Sequence, residues 1–112
     1  RGILVDAKVI NGNSVEHKCL GIIKGNFVKK YKEGTAVKLL VQPDDLEHDD
    51  KSKLQLEIID KKFRGTNFIY TLKTKNDDLI PVFVHSHHIH QHEVEEKFGV
   101  KTPIYIDHLV CF

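Results

Sequence analysis

The chain has 112 residues, of which 40% are hydrophobic and 29% charged, and its formal net charge is +1 at pH 7. This length suits one compact domain with a core of its own. Acidic and basic residues are interleaved, so the basic excess that binding to a phosphate backbone requires is missing. We therefore expect a globular domain without a nucleic-acid partner.

Further bulk features limit the class of protein. No apolar stretch approaches the ~20 residues that a membrane helix needs. The two cysteines, Cys19 and Cys111, lack the spacing of a metal site, so a reduced intracellular protein is favoured over a secreted domain with one disulfide. The chain contains no methionine, not even at its first position. We interpret residues 1–112 as a single domain excised from a longer polypeptide.

Most of the chain has the apolar patterning of short β-strands. Six segments show it most clearly: residues 3–10, 14–20, 36–41, 54–63, 67–74 and 79–84. Residues 102–112 predict one further strand, or two with a break, and residues 21–25 are a short segment bounded by glycines. No stretch of helical length has an amphipathic helical period.

Turn and loop signals separate these strands. Asn11-Gly12 is a strong hairpin signal, and Pro43 ends the strand before it because proline has no amide proton for a sheet. The charged residues 44–53 predict a loop, and residues 85–99 predict a loop or a short helical turn. Pro81 fits best in a strand at the edge of a sheet.

Seven or eight short strands, with a turn signal about every ten residues, predict an all-β barrel or sandwich with little helix. The two halves of the chain are loosely similar, which suggests two related β subunits. Aromatic side chains in alternating strands are expected to fill the core: Phe63, Phe68, Tyr70, Phe83, Phe98, Tyr105 and Phe112. Cys19 and Cys111 are expected to be buried as small hydrophobic residues.

The sequence contains no arrangement of residues that we expect to carry catalysis. A phosphate-binding loop, a Gly-x-Ser-x-Gly elbow, a His-Glu-x-x-His helix and a Cys-x-x-Cys pair are all missing. Three carboxylate pairs lie in charged turns, where we expect solvated groups rather than the desolvated ones that catalysis needs: Asp44-Asp45, Asp49-Asp50 and Asp77-Asp78. We therefore expect that this chain by itself is not an enzyme.

Five of the eight histidines fall within eight consecutive positions. Imidazole is the commonest metal ligand and titrates near neutral pH. His87, His88 and His90 are the candidate metal ligands, and His85 and His92 are candidates for an interface or regulatory role. Neighbouring residues rarely complete a tetrahedral shell by themselves, so we expect no more than adventitious Zn²⁺ or Ni²⁺. An interface role, a pH-responsive contact and a physiological metal site all remain open.

Four segments resemble motifs of the TOBE domain, which follows the nucleotide-binding domain in many ABC importer ATPases. They are the Phe-x-Gly…Tyr-x-Leu pattern within residues 61–72, Val41-Gln42-Pro43-Asp44-Asp45-Leu46, Ser86-His87-His88-Ile89-His90, and Ile106-Asp107-His108-Leu109-Val110-Cys111-Phe112. The Ser-His-His-x-His segment is similar to TOBE regions of ferric-iron importers. Gln42 departs from the pattern, because the family usually has Arg there, and the Walker motifs of the ATPase are missing.

The resemblance implies an OB-like β-barrel of the TOBE/MOP type that packs against its twin in a homodimer of ATP-binding subunits. The importer would take ferric iron, a polyamine or a thiamine-like substrate, and this domain would be a regulatory and structural module. ATP and Mg²⁺ would bind the absent N-terminal ATPase domain, which would also contact the permease at the cytoplasmic face of the bacterial inner membrane. No cofactor is implied for residues 1–112 themselves.

Arg64-Gly65 predicts a turn at the end of a strand, where glycine permits a positive φ. Loop residues on rigid scaffolds often carry function, so Arg64 joins His85 and His92 as a candidate interface or regulatory residue. The alternative function is a small oxyanion- or metal-binding β module that uses the histidines of residues 85–92. The hydroxyl-rich cluster of a molybdate site is not evident, however, and the near-neutral charge disfavours a nucleic-acid-binding OB fold.

Overall fold

The structure is a computed structural model, and it describes residues 2–85, 94 and 96–112. This part of the chain is all β, as the sequence predicts, and it contains no helix that could cross a membrane. The strands are β1 (Ile3–Asn11), β2 (Ser14–His17), β3 (Gly21–Phe27), β4 (Ala36–Val41), β5 (Gln55–Arg64), β6 (Asn67–Lys73), β7 (Leu79–His85), β8 (Lys97–Gly99) and β9 (Ile104–Leu109).

The first sheet has five strands and curls into a barrel. Its strand order is β4-β1-β2-β3-β9, with antiparallel neighbours except for the parallel pair β3–β9. Beyond β9 the chain pairs with β4, since the Phe112 amide donates to the Lys38 carbonyl at 2.8 Å and the Leu40 amide donates to the Val110 carbonyl at 2.9 Å. This pairing joins the two edges of the sheet and produces an OB-like barrel.

The second sheet is inserted between the fourth and fifth strands of the barrel. Its order is β7-β6-β5-β8, and all its neighbours are antiparallel. The barrel therefore contains strands from both ends of the chain, so the two loosely similar halves of the sequence do not correspond to the two sheets. The β7 strand that contains Pro81 lies at an edge of the second sheet, as predicted.

The local predictions hold for most strands and are wrong at two places. The second strand ends at His17 instead of residue 20, because the His17 ring accepts hydrogen bonds from the next amides of the chain and turns it. Residues 97–99 form β8 instead of a loop or helical turn, because they pair with β5 through Leu56↔Phe98 and its neighbours.

The core lies between the sheets and inside the barrel, and its largest fully buried side chains are Tyr70 and Phe98. The expectation that the seven aromatic residues named above fill the core is wrong for four side chains that are 41–70% exposed: Phe63, Phe83, Tyr105 and Phe112. Phe83 and Tyr105 alternate with buried neighbours and so point outward. Cys19 and Cys111 are free thiols that are partly rather than fully buried.

Gly25 lies where β3 pairs with the parallel strand β9. A Cβ atom built at position 25 would overlap the backbone carbonyl oxygen of Ile106 and touch the Leu109 side chain. Backbone atoms cannot move aside without breaking the pairing of the two strands. Only glycine therefore allows β9 to approach β3 this closely.

We expect Gly25→Ala to lower the free energy of unfolding by about 3 kcal/mol, because overpacking against a fixed backbone is costly. The matched control is Gly12→Ala, since a Cβ at position 12 meets no atom within 4 Å. Urea unfolding followed by circular dichroism measures both variants. Equal stabilities of the two variants would contradict the packing argument.

Candidate functional site

The predicted histidine cluster falls largely outside the described residues. His87, His88, His90 and His92 all lie there, so their metal-binding and interface roles stay predictions. His85 is the last residue of β7, where its backbone is paired with Asn67. Within residues 2–85, 94 and 96–112, no group of three or more His, Cys, Asp and Glu residues is placed to hold a metal ion.

Arg64 is the last residue of β5 and its side chain is exposed, as the sequence predicts for a strand-end turn. It is paired with Asn67 across a two-residue connection, Gly65-Thr66. Gly65 has a φ of 70°. Glycine with positive φ at the first central position fits a type II′ hairpin turn. Arg64 therefore lies at the tip of a tight hairpin and forms no ion pair with a described residue.

A register shift in β5 determines which side chains next to Arg64 lie on the core side of the sheet. Ile58 pairs with Leu72 but Asp60 pairs with Thr71, so Ile59 is an extra residue of the bulge type. Even-numbered residues face the core before the shift, and odd-numbered residues lie on that side after it. Lys61 is consequently opposite the buried Tyr70.

Aromatic rings form a chain of contacts from the hairpin tip into the core. Ring centroids are 5.2 Å apart for Phe63 and Phe68, 6.4 Å for Phe68 and Tyr70, and 5.7 Å for Tyr70 and Phe98. The Lys61 ammonium lies 4.8 Å from the Phe68 ring centroid, within cation–π range. We call residues 61–64 together with Phe68 the basic hairpin. Its outermost ring, Phe63, is 61% exposed.

An acid-rimmed cleft of about 410 Å³ opens between the β4–β5 loop and the second sheet. We call it the acidic cleft, and its lining residues are Pro43, Asp44, Leu46, Glu47, His48, Asn67, Phe83, Val84 and Phe98. Leu46, Val84 and Phe98 are buried and form an apolar wall, whereas the carboxylates of Asp44 and Glu47 are exposed. Neither of these carboxylates pairs with a cation in the described part of the chain.

The loop that forms the rim of this cleft is anchored at both ends. The Phe83 amide donates to the Pro43 carbonyl at 3.0 Å, and the Lys101 amide donates to the Glu47 carbonyl at 2.8 Å. The His48 ring packs on Phe98 with centroids 4.7 Å apart. These contacts hold the rim carboxylates over the apolar wall, so the segment predicted as a loop has a defined path.

Asp45, in the same loop, is partly buried. Burial raises the pKa of its carboxyl above the ordinary value, although a hydrogen bond from the Gln42 amide to Asp45 Oδ2, 2.7 Å long, acts in the opposite direction. The neighbouring carboxylate of Asp44 adds to the increase. Ionised Asp45 therefore costs the folded state some stability.

The sequence analysis missed a buried polar cluster that joins the two sheets. His17 Nδ1 accepts hydrogen bonds from the Cys19 and Leu20 amides at 2.9 and 3.0 Å. Because Nδ1 accepts, the ring proton is on Nε2, which donates to Asp78 Oδ2 at 2.7 Å. The Thr74 hydroxyl donates to the same oxygen at 3.0 Å. We call His17, Thr74 and Asp78 the His–Asp clasp.

The clasp has the geometry of a structural link. Both ring nitrogens of His17 are used, and the His17 side chain is fully buried, so neither nitrogen is left to exchange a proton with a substrate. Asp78 was predicted to be solvated, which is wrong, since its side chain is only 14% exposed. The signal available in the sequence was a lone histidine on the apolar face of a strand.

No protein-family model matches the chain, and no curated protein matches it significantly. Similarity therefore assigns no family, and function has to be argued from the residues and their arrangement.

We expect His17→Leu to lower the free energy of unfolding by about 3 kcal/mol, because it leaves two amides without an acceptor and removes one of the two side-chain donors to the largely buried Asp78 carboxylate. The control is Asp6→Asn, which removes an exposed ion pair with Lys38. Exposed ion pairs contribute little, so this variant should unfold at the wild-type urea concentration. A wild-type midpoint for His17→Leu would contradict a stabilising role of the clasp.

We expect the Asp45→Asn variant to differ from the wild type in a pH-dependent manner. Burial raises the pKa of Asp45 in the folded state. The protonated carboxyl therefore stabilises the fold fully below the ordinary Asp pKa of about 3.9, and this stabilisation is lost as the pH rises through the folded-state pKa. The wild type should therefore lose stability relative to Asp45→Asn over that interval. Unfolding measured across the pH range tests this, and a constant difference would contradict it.

Proposed function

We propose that the chain is a TOBE-type C-terminal domain of the ATP-binding subunit of a bacterial ABC importer for ferric iron or a related substrate. It acts as a regulatory and dimerisation module at the cytoplasmic face of the inner membrane. ATP and Mg²⁺ bind the ATPase domain of the parent protein, which also contacts the permease. This domain contributes the surface through which two subunits associate.

The ordered set of TOBE-like motifs is the observation that carries the proposal. Val41-Gln42-Pro43-Asp44-Asp45 leads out of the barrel strand β4 and into the rim of the acidic cleft. Phe63-Arg64-Gly65 forms the hairpin tip, and residues 106–112 close the barrel. The three motifs that lie within the described residues thus occupy the exit from the barrel, the return to it and the exposed hairpin, and this supports a role for them in architecture and contact.

The arrangement also supports a rigid accessory domain. Residues 110–112 pair with β4 and join the two ends of the first sheet, and the His–Asp clasp connects this sheet to the second one. A domain built in this way can transmit a contact made on one sheet to the other without internal rearrangement. Gln42, where the family usually has Arg, is exposed and donates its backbone amide to Asp45. A partner contact through an Arg side chain at this position is therefore not part of the proposal.

The experiment that tests the proposal is recovery of the native polypeptide from its source cells, followed by mass-spectrometric mapping of peptides upstream of Arg1. We expect an upstream phosphate-binding loop and an ABC signature, because the proposed role requires an ATPase in the same chain. A native chain without them would contradict the proposal. A stoichiometric Zn²⁺ or Ni²⁺ site that is lost in His88→Ala would then favour the metal-binding module.

A further inference from the structure

The basic hairpin and the acidic cleft lie at the same end of the second sheet. Arg64 pairs with Asn67, and Asn67 pairs in turn with His85 on β7. Asn67, Phe83 and the loop beside β7 line the cleft. One surface of the molecule therefore carries both a projecting hairpin and a recess next to it.

The charges of these two features are opposite in sign. The Lys62 ammonium is 4.0 Å from its nearest acidic partner, Asp60, and both side chains are about half exposed or more. Arg64 has no acidic partner among the described residues, and neither Asp44 nor Glu47 has a basic one. None of the hairpin cations is among the residues that line the cleft of the same molecule.

The shapes and apolar surfaces of the two features are complementary as well. Phe63 is 61% exposed at the hairpin tip, and the apolar surface that the cleft offers is Phe83, which is 41% exposed beside the buried Leu46 and Val84. A volume of about 410 Å³ lies within the usual range for binding pockets. An exposed aromatic residue flanked by cations is the type of anchor that an apolar pocket with an acidic rim accommodates.

We propose that the basic hairpin of one copy of this domain docks in the acidic cleft of a second copy, and that the second copy docks reciprocally in the first. Arg64 and Lys62 then face Asp44 and Glu47 of the other copy, and Phe63 packs on the exposed Phe83 in the lining of the cleft. When two copies are related by a twofold axis beside the hairpin and the cleft, both hairpin–cleft contacts form together, as in an isologous dimer. This inference deepens the proposed function and rests on its dimerisation role.

A nucleic-acid strand fits this surface less well. Single-stranded nucleic acids bind rows of aromatic rings whose faces are open for stacking. Here the Lys61 ammonium lies over the Phe68 ring and Phe63 packs against it, while Tyr70 is fully buried. The hairpin therefore offers a single protruding ring, which suits one recess and not a succession of bases.

The test uses two charge-reversal variants. Each variant should fail to pair with its own copies, and the two variants should pair with each other. Arg64→Glu places like charges at both contacts of its homodimer, and so does Glu47→Arg. In an equimolar mixture, the carboxylate introduced at position 64 of the first variant meets the guanidinium introduced at position 47 of the second. The unchanged Arg64 and Glu47 meet at the other contact. Sedimentation velocity over a concentration series measures the association in each case.

We expect the dissociation constant of each reversal variant alone to rise by at least about tenfold, and the mixture to return to wild-type association. The double variant Arg64→Glu/Glu47→Arg should also associate like the wild type, and high salt should weaken every association. Lys29→Glu, a reversal of an exposed lysine after β3, is the charge control and should leave association unchanged.

An apolar pair of variants tests the anchor independently of charge. Phe63→Ala should weaken association about fivefold or more, because the ring loses its burial in the partner's cleft. Phe112→Ala is the matched control, since Phe112 is 70% exposed and lies on the barrel. Circular dichroism confirms that each variant is folded before its association is compared.

The outcomes separate this inference from the proposed function. Association that is unaffected by both reversals overturns the hairpin–cleft contact while a dimerisation role persists through another surface. A wild-type domain that stays monomeric at every concentration also overturns this inference, and the upstream peptides then decide the proposed function separately. Binding of single-stranded DNA that is lost in Phe63→Ala, without self-association, would assign the hairpin to nucleic acid and overturn the inference.

Discussion

The architecture depends on one backbone contact, the parallel pairing of β3 with β9. This pairing returns the chain to the barrel after the four strands of the second sheet. It requires glycine at position 25, because a side chain there would overlap Ile106. Residues 110–112, which follow β9, pair with β4 and join the two ends of the sheet. The return of the chain from the second sheet to the barrel thus depends on the absence of a side chain at Gly25.

The two sheets are connected by a polar constraint as well as by apolar packing. Hydrophobic burial is non-directional and would allow small displacements of one sheet against the other. The His–Asp clasp removes that freedom, because His17 Nε2 and the Thr74 hydroxyl donate to Asp78 with fixed geometry, while Nδ1 of the same ring is held by the Cys19 and Leu20 amides. The price of burying these polar groups is offset only while every partner is present.

A bulge and an anchored loop give one end of the second sheet its chemical character. The extra residue in β5 turns Lys61 and Phe63 toward the side of Phe68, which produces a cationic, aromatic hairpin tip. The loop after β4 is tied to β7 and to the segment after β8, which holds exposed carboxylates beside an apolar wall. A projecting basic feature next to an acidic recess is well suited to a module whose role is association, and the proposed function assigns it that role.

Local patterning in the sequence determined the all-β class, the positions of most strands, the edge location of Pro81 and the exposed turn at Arg64. These properties follow from the two-residue period of strands and from the chemistry of single residues, which act over a few positions. Only the tertiary structure decided the burial of Asp78, because its partner His17 is 61 positions away in the chain. It also decided the short strand β8 and the acidic cleft, since both are formed by pairing and packing between segments that are distant in sequence.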